Sequence, residues 1–417
     1  MARKPLIRVF EYESLTTFDQ GDGRFLHKSE LDRLYEYNDR NGNIYFTGIR
    51  NGVKFNSYVG VIQIGGLTIE ILPKADRQNQ SGKDEYLIWQ RILLDMLNFC
   101  HYIKVDTVSE AALEIRTNSI LDLYFQLFLD EVKFLLRKGL IKQYRKNSGN
   151  LHVVKGRILF NEQIRKNLVH QERVYTEHQV YDTENLYNQV LLRALTVLNR
   201  ISYNPKIKDQ IHRIKLDFPD IPEIQINHTH FSRLKETRKT KPYENALKIA
   251  KMLILNYSPD IRTGREDMLA LLFDMNKLWE EFIYRALQMV PDSDYEVSFQ
   301  NSEKFWETKT IRPDLVLEKK ETEERYIIDT KWKIVDANNP SDDDLKQMFA
   351  YNLYWNTGKS ILLYPGSENS DGEFGTFHKG RPEGNQCKVG FINVLGEDGK
   401  LDRGIGKRVL EKLNHKD

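Results

Sequence analysis

The stretch IRPDLVLEKKETEERYIIDTKWK, residues 311–333, decides how the C-terminal third of this chain folds. Its two apolar runs, Leu315 to Leu317 and Tyr326 to Ile328, flank a charged turn, so the segment reads as two strands of a hairpin. Asp314 opens the first strand and Asp329 lies near the end of the second, with fourteen residues between them. Alternation along a strand puts Asp329 and Lys331 on one face and Ile328, Thr330 and Trp332 on the other. The hairpin brings Asp314 alongside Asp329. Asp329 follows a run that belongs inside a sheet, where an unpaired carboxylate is costly, and adjacent carboxylates repel unless a cation neutralises them. Mg2+ meets that need as a hard ion taking oxygen ligands, and phosphodiester hydrolysis is the matching reaction. Lys331 would orient a water or stabilise negative charge in the transition state. The bland alternative is an Asp-Lys surface pair at a hairpin.

The flanking elements fit a sheet with helices. Apolar residues at helical spacing from Met268 to Val290 predict a core helix from about Glu266 to Val290, with Glu280 beside the apolar stripe. Strands are expected at DYEVSF (294–299), TIRPDLVLEK (310–319) and RYIIDTKWK (325–333). Ser341 can cap a helix whose first turn carries Asp342, Asp343 and Asp344, favourable against the helix dipole. That helix runs through LKQMFAYNLYW (345–355), where Gln347 and Tyr351 share a face, and the strands SILLYP (360–365) and KVGFINV (388–394) follow. The order is αβββαβ with a final strand.

Upstream, the first seventy-odd residues read as β structure: Leu6 to Tyr12, Ile44 to Ile49 before an Asn51-Gly52 turn, then YVGVIQI and LTIEILP joined by Gly65-Gly66. Helical periodicity follows from Asp84 to Leu97 and from Asn118 to Lys138, where Gly139 is the stop. From Gly139 to Arg173 the pattern is irregular and basic, with Tyr144, His152 and Phe160 among the cations: either a solvated surface or a binding face. Glu184 to Ile201 and Pro242 to Leu255 are further amphipathic helices. His228 and His230 would share a face on a strand, but with no third ligand nearby they read more simply as surface histidines than as a metal pair. Lys235, Arg238, Lys239 and Lys241 read as a solvated connector.

The whole is an α+β multidomain chain: a β-rich and helical region over 1–165, a helical connecting region over 166–265 and the αβββαβ domain over 266–417. Length and composition agree. The 417 residues suffice for two or three domains, and 40% hydrophobic with 29% charged residues is an ordinary globular balance. The 62 basic residues against 60 acidic ones leave a net charge of +2, so any DNA-binding surface must be local. Cys100 and Cys387 stand too far apart in sequence for a metal knuckle, and a reducing cytoplasm is the default. Neither an apolar signal region nor a membrane-spanning run is expected. No Walker A motif occurs, since Leu353 stands where its leading glycine should precede Gly358-Lys359-Ser360. The chain alone is therefore expected to bind no nucleotide.

The signature Asp314, Asp329 and Lys331 resembles that of the PD-(D/E)xK nuclease superfamily, and QMFAY (347–351) looks like the QxxxY element of its RecB-like branch. More closely, FDMNKLWEEF (273–282), IRPDLVLE (311–318), IIDTKWK (327–333) and DLKQMFAY (344–351) resemble the McrC nuclease subunits of modification-dependent McrBC restriction systems. So do VGVIQIGGLTIEILPK (59–74), GLIKQYR (139–145) and VKGRI (154–158). The resemblance implies a Mg2+-dependent DNA endonuclease domain, with Mn2+ as a substitute, active on modified double-stranded DNA in a bacterial or archaeal cytoplasm. It implies an N-terminal region that docks on a hexameric AAA+ GTPase of McrB type and stimulates it. Carried over by motif, Asp314 and Asp329 are metal ligands, Thr330 lends its backbone carbonyl, and Lys331 is the catalytic lysine. Gln347 and Tyr351 support the site or contact DNA. Glu280 is either a further acidic ligand or an exposed helix glutamate, which helical phase does not decide. A stand-alone restriction or repair nuclease and a noncatalytic nucleic-acid-binding adaptor are the competing readings.

Overall fold

The computed structural model describes residues 5–19, 21–74, 83–102, 119–258, 267–291, 293–333, 335, 340–366, 371–378 and 384–414. The chain forms two compact units, one of residues 1–62, 67–116 and 272–417, the other of residues 63–66 and 117–271.

In the first unit, strand Leu6–Phe10 runs parallel to Leu67–Leu72, with Ile7 opposite Ile69. The Asn51-Gly52 turn joins Phe46–Ile49 to Gly52–Phe55, and Asn51 takes φ 56°. Only glycine fits at 52, because a Cβ there would stand 2.4 Å from the Leu15 carbonyl oxygen of the neighbouring strand. Gly65 turns the chain between Tyr58–Ile64 and Leu67–Leu72 at φ 48°. The reading of this region as β structure needs one correction: Lys28–Arg40 is a helix, capped at His27 and Glu30, that buries Leu31, Leu34 and Tyr37. Its apolar face is only a few side chains wide in a charged segment, so the period is faint.

The C-terminal part of the same unit holds a six-stranded sheet in the order Tyr295–Phe299, Leu315–Lys319, Arg325–Thr330, Lys359–Pro365, Gln386–Ile392, Phe374–Thr376. The first three strands are antiparallel meanders, and the next two lie parallel to Arg325–Thr330. A parallel step needs a crossover, which helix Asp342–Tyr354 supplies, capped as expected by Ser341. Met348 and Tyr351 of that helix, with Trp355 at its C-cap, pack on Val316, Ile327 and Leu362 of the sheet.

The helix expected over 266–290 is corrected: Glu266 lies outside the described residues, Met268–Asp274 is a strand, and the helix is Met275–Gln288. A continuous apolar run such as MLALLF carries no period that separates strand from helix, and the start signal is Asp274, whose side chain accepts from the Asn276 N–H. Strand Phe374–Thr376 and the last helix, Ile405–Asn414, were not read from sequence. Gly406 lets that helix approach the Ala286 backbone, where a Cβ would lie 2.2 Å from the carbonyl oxygen.

The second unit is largely helical. Ile120–Lys138 begins at the Ser119 cap, Asn118 lying outside the described residues, and ends before Gly139 at φ 89°. Leu186–Ile201, Pro205–Asp217 and Glu244–Leu255 complete the helical core through Tyr124, Phe128, Leu195, Leu198, Ile211 and Leu253. The basic segment after Gly139, which the sequence left irregular, is a nine-residue strand, Gln143–Leu151, paired throughout with Val174–Asp182; helix Phe160–Asn167 lies between them in sequence. Gln143–Leu151 is largely exposed and Val174–Asp182 mostly half-buried, so neither has the apolar alternation that announces a strand. Among the described residues no helix is long and apolar enough to cross a membrane.

Candidate active site

Sheet register assembles the site. Leu315 pairs with Ile328 and Val316 with Ile327, which sets Asp314 and Asp329 side by side as the sequence expects. Ile327, Asp329 and Lys331 share the sheet face that helix Asp342–Tyr354 covers. Trp332 points the other way and packs edge-on against Trp279, with ring centroids 5.3 Å apart.

Asp314 Oδ2 accepts from the Thr330 N–H at 2.7 Å and from the Thr330 hydroxyl at 3.0 Å, fixing the carboxyl across the hairpin. Asp329 is 1% exposed, with its Oδ2 2.7 Å from Lys331 Nζ in an ion pair. Its Oδ1 has no partner among the described residues. Lys331 Nζ also donates to Gln347 Oε1 at 3.3 Å; Gln347 Nε2 donates to Tyr351 Oη at 2.6 Å, and that hydroxyl donates to the Arg312 carbonyl at 2.7 Å. Gln347 and Tyr351 therefore form one line of hydrogen bonds from the lysine back to the chain entering Asp314. Glu280 is buried, not an exposed helix residue, and its Oε1 accepts from Gln300 Nε2 at 2.8 Å. The Gln300 N–H in turn donates to the Asp314 carbonyl at 2.9 Å.

The electrostatics are those of a site with too much negative charge. Burial, then the neighbouring Asp314 charge, pushes Asp329 up to about 7, and the same two causes push Glu280 up to about 7. Burial also raises Asp314, against the hydrogen bonds from Thr330. Burial opposes the Lys331 ammonium, yet Asp329, Asp314 and Asp344 hold its pKa above the ordinary lysine value. Asp344 is the contrast: burial opposes its charge, but Lys333 at 2.6 Å and the Ser341 hydroxyl hold it below the carboxylate range. Asp344 is thus already neutralised, whereas Asp329 shares one lysine with a second aspartate. An unpartnered buried oxygen beside two crowded carboxylates fits a cation with oxygen ligands. Among the described residues no group of three His, Cys, Asp or Glu could hold a metal ion. An ion here would accordingly lean on two carboxylates plus main-chain oxygen and water, a ligand set Mg2+ accepts. His228 and His230 lie on a short helix, His228–Ser232, where His230 Nδ1 contacts Asn227 Oδ1 at 2.7 Å.

Three supporting residues escaped the sequence. Gln300 links Glu280 to Asp314, Asn276 Oδ1 accepts from the Trp332 N–H at 3.3 Å, and Glu11 Oε1 accepts from Trp332 Nε1 at 2.5 Å. No local signal marks Glu11, since its partner lies 321 residues away. Glu11 also accepts from the Lys74 N–H, and burial pushes it up to about 7 against those two bonds. A carboxyl whose folded pKa is raised adds stability in acid that is lost as pH rises from its ordinary 4.5 through about 7. Glu11→Gln keeps an acceptor for both donors and cannot ionise. Its stability should therefore fall less than wild type between pH 5 and pH 8, by up to about 3 kcal/mol. Denaturant melts at both pH values read the difference, and parallel losses would exclude it.

Fold and site together define an α+β protein whose C-terminal mixed sheet carries a buried Asp-Asp-Lys cluster. The chain belongs to the family described as the McrBC 5-methylcytosine restriction system component, which matches residues 53–365. The Type IV methyl-directed restriction enzyme EcoKMcrBC of Escherichia coli (strain K12) is 25% identical over 182 residues, 42% of this chain and 52% of the relative, so the match spans about half the relative's length. Among solved structures, the refined half-complex from a tetradecameric assembly of Thermococcus gammatolerans McrB AAA+ hexamers with bound McrC matches with a TM-score of 0.70 at 18% identity, covering 98% of this chain and 100% of that one. The cryo-EM structure of the Thermococcus gammatolerans McrBC complex matches with a TM-score of 0.51 at 19% identity, over 68% and 87%. The family membership and these likenesses support an McrC-like subunit, as the sequence resemblance implied.

Proposed function

We propose that this chain is the Mg2+-dependent DNA endonuclease subunit of a modification-dependent restriction complex, with a PD-(D/E)xK domain at its C-terminus. The reading rests on one observation above all: Asp329, almost fully buried, pairs with Lys331 on one oxygen and leaves the other without a partner beside Asp314. Asp314, Asp329 and the Thr330 carbonyl would hold the ion, with Glu280 as a further acid at its edge. When bound, the ion supplies charge neutralisation and Lewis acidity at the scissile phosphate. Lys331 donates to a phosphate oxygen or to the attacking water and offsets the charge that develops in the transition state. Gln347 aims that ammonium, and Tyr351 fixes Gln347 against the Arg312 carbonyl.

The same reading gives the chain an AAA+ GTPase partner of McrB type, a hexameric ring that recognises modified DNA. Its docking surface is placed at one end of the sheet Gln143–Leu151, Val174–Asp182, Arg157–Ile158. There Val153, Val154, Leu168 and Val169 are exposed, and Asn167 Nδ2 ties the helix end to Asn150 Oδ1 at 2.6 Å. Apolar side chains gathered in water mark protein contacts. Both cysteines are free and buried, which suits a reducing cytoplasm. The test is cleavage of plasmid carrying 5-methylcytosine, with the chain, its partner ring, GTP and Mg2+ supplied or omitted one at a time. At physiological salt, cutting is expected only when all four are present. Efficient cutting of a defined sequence without the ring would make it a stand-alone restriction enzyme, and no cutting under any condition would favour the adaptor.

A further inference from the structure

We propose that the hairpin formed by Glu303–Trp306 and Lys309–Ile311 is a DNA-engaging arm, with Trp306 entering the minor groove of the duplex beside the phosphodiester to be cut and Lys309 contacting a phosphate. The proposal rests on the nuclease reading for the location of that phosphodiester. The two strands form a sheet of their own, apart from the six-stranded sheet, and every residue from 303 to 310 is exposed. An isolated two-stranded hairpin is marginal in water, so something must hold it. Phe305 packs against Tyr354 with ring centroids 5.7 Å apart, and Tyr354 Oη lies 3.4 Å from the Phe305 carbonyl. At the hairpin's exit Tyr351 Oη donates to the Arg312 carbonyl, two residues before Asp314. Both tyrosines stand on the helix whose Gln347 contacts Lys331, so one element sets the arm and the lysine.

Trp306 lies outside the core. It is 63% exposed, whereas Trp89, Trp279, Trp332 and Trp355 are at most 5% exposed. Its cross-strand partner is Lys309, and the strand shifts register between Lys304 and Trp306. Within the hairpin Lys304 and Lys309 balance Glu303 and Glu307, and Arg312 follows directly on its second strand. An aromatic wedge with a lysine across the strand from it suits a minor groove: the ring parts a base step while the Lys309 ammonium meets a phosphate. Because the hairpin's second strand ends three residues before Asp314, with Arg312 held by Tyr351 between them, the occupant is DNA and not another protein surface.

With four of the five tryptophans buried, intrinsic fluorescence reports on the arm. Titrating the full chain in EDTA with a 20-base-pair duplex at low salt should quench the exposed, acrylamide-accessible emission, and Trp306→Phe should abolish that signal. Trp306→Ala should weaken duplex binding and raise the KM for cleavage about tenfold, within the range of one aromatic–base contact, with kcat and melting midpoint nearly unchanged. Trp306→Phe should recover most of the affinity. Emission unquenched over the whole titration, or Trp306→Ala binding DNA like wild type while losing stimulation of the partner GTPase, overturns the proposal. Quenching without cleavage in Mg2+ and partner would instead remove the nuclease reading and leave the arm as a DNA contact.

Discussion

Asp329→Asn should abolish DNA cleavage, by about a thousandfold or more, and in metal-free buffer at pH 8 the protein should melt no lower than wild type. The first effect follows from removing the buried carboxylate of the proposed ion site, where a divalent cation contributes several kcal/mol at a transferring phosphoryl group. The second follows from the sign of the Asp329 shift. Its pKa rises from 3.8 to about 7, by burial and then by Asp314, so its contribution to folding is favourable below about pH 4 and is lost as pH rises through 7. Asparagine escapes that loss, and the melting midpoint of the variant relative to wild type should climb between pH 5 and pH 8. Added Mg2+ should raise the wild-type midpoint by mass action and leave Asp329→Asn where it was. The measurements are plasmid cleavage and thermal melts with and without Mg2+. A variant that cuts normally, or a wild type indifferent to Mg2+, removes Asp329 from the ion site.

What the sequence showed of this site is what strand alternation and local spacing encode. The shared face of Asp329 and Lys331, the neighbouring Asp314 and the Ser341 cap are all consequences of residues within one hairpin or one helical turn. The burial of Glu280 depends on how its helix packs, and helical phase alone left it undecided. Glu11 and Asn276 reach Trp332 from segments far apart in the chain, so no window of sequence could pair them. The misread strand Met268–Asp274 and the unread strand Gln143–Leu151 fail for opposite reasons: one is apolar at nearly every position and the other at almost none, and both erase the period. Chain order also hides that residues 1–62 fall in the same compact unit as residues 272–417. The bond between Glu11 and Trp332 means that deleting the N-terminal region would strip a partner from the residue next to Lys331. Docking and cutting must therefore be separated by point substitutions.

Such substitutions should divide the two activities cleanly. Val153→Asp with Val169→Asp should reduce stimulation of the partner GTPase by about thirtyfold or more, the loss of a central apolar contact worth about 2 kcal/mol, and leave the melting midpoint unchanged. Both side chains are exposed, so placing a carboxylate there breaks no packing within the chain, and surface changes of this kind stay within about 0.5 kcal/mol of wild type. Asp329→Asn should do the reverse: full stimulation of the ring and no cleavage. The two positions fall in different compact units and share no partner among the described residues, and sites without shared partners act nearly independently. The double-aspartate variant should also lose cleavage of methylated plasmid, because a chain of net charge +2 has little electrostatic hold on DNA and depends on the ring to bring it there. That dependence gives the assay its edge. Lowering the salt should partly restore cutting by the undocked variant, since each phosphate contact strengthens as counterions are diluted, whereas no salt concentration should restore cutting by Asp329→Asn. Paired measurements of GTPase rate and plasmid cleavage across a salt series decide it: normal stimulation by the double-aspartate variant would move the docking surface elsewhere on the chain.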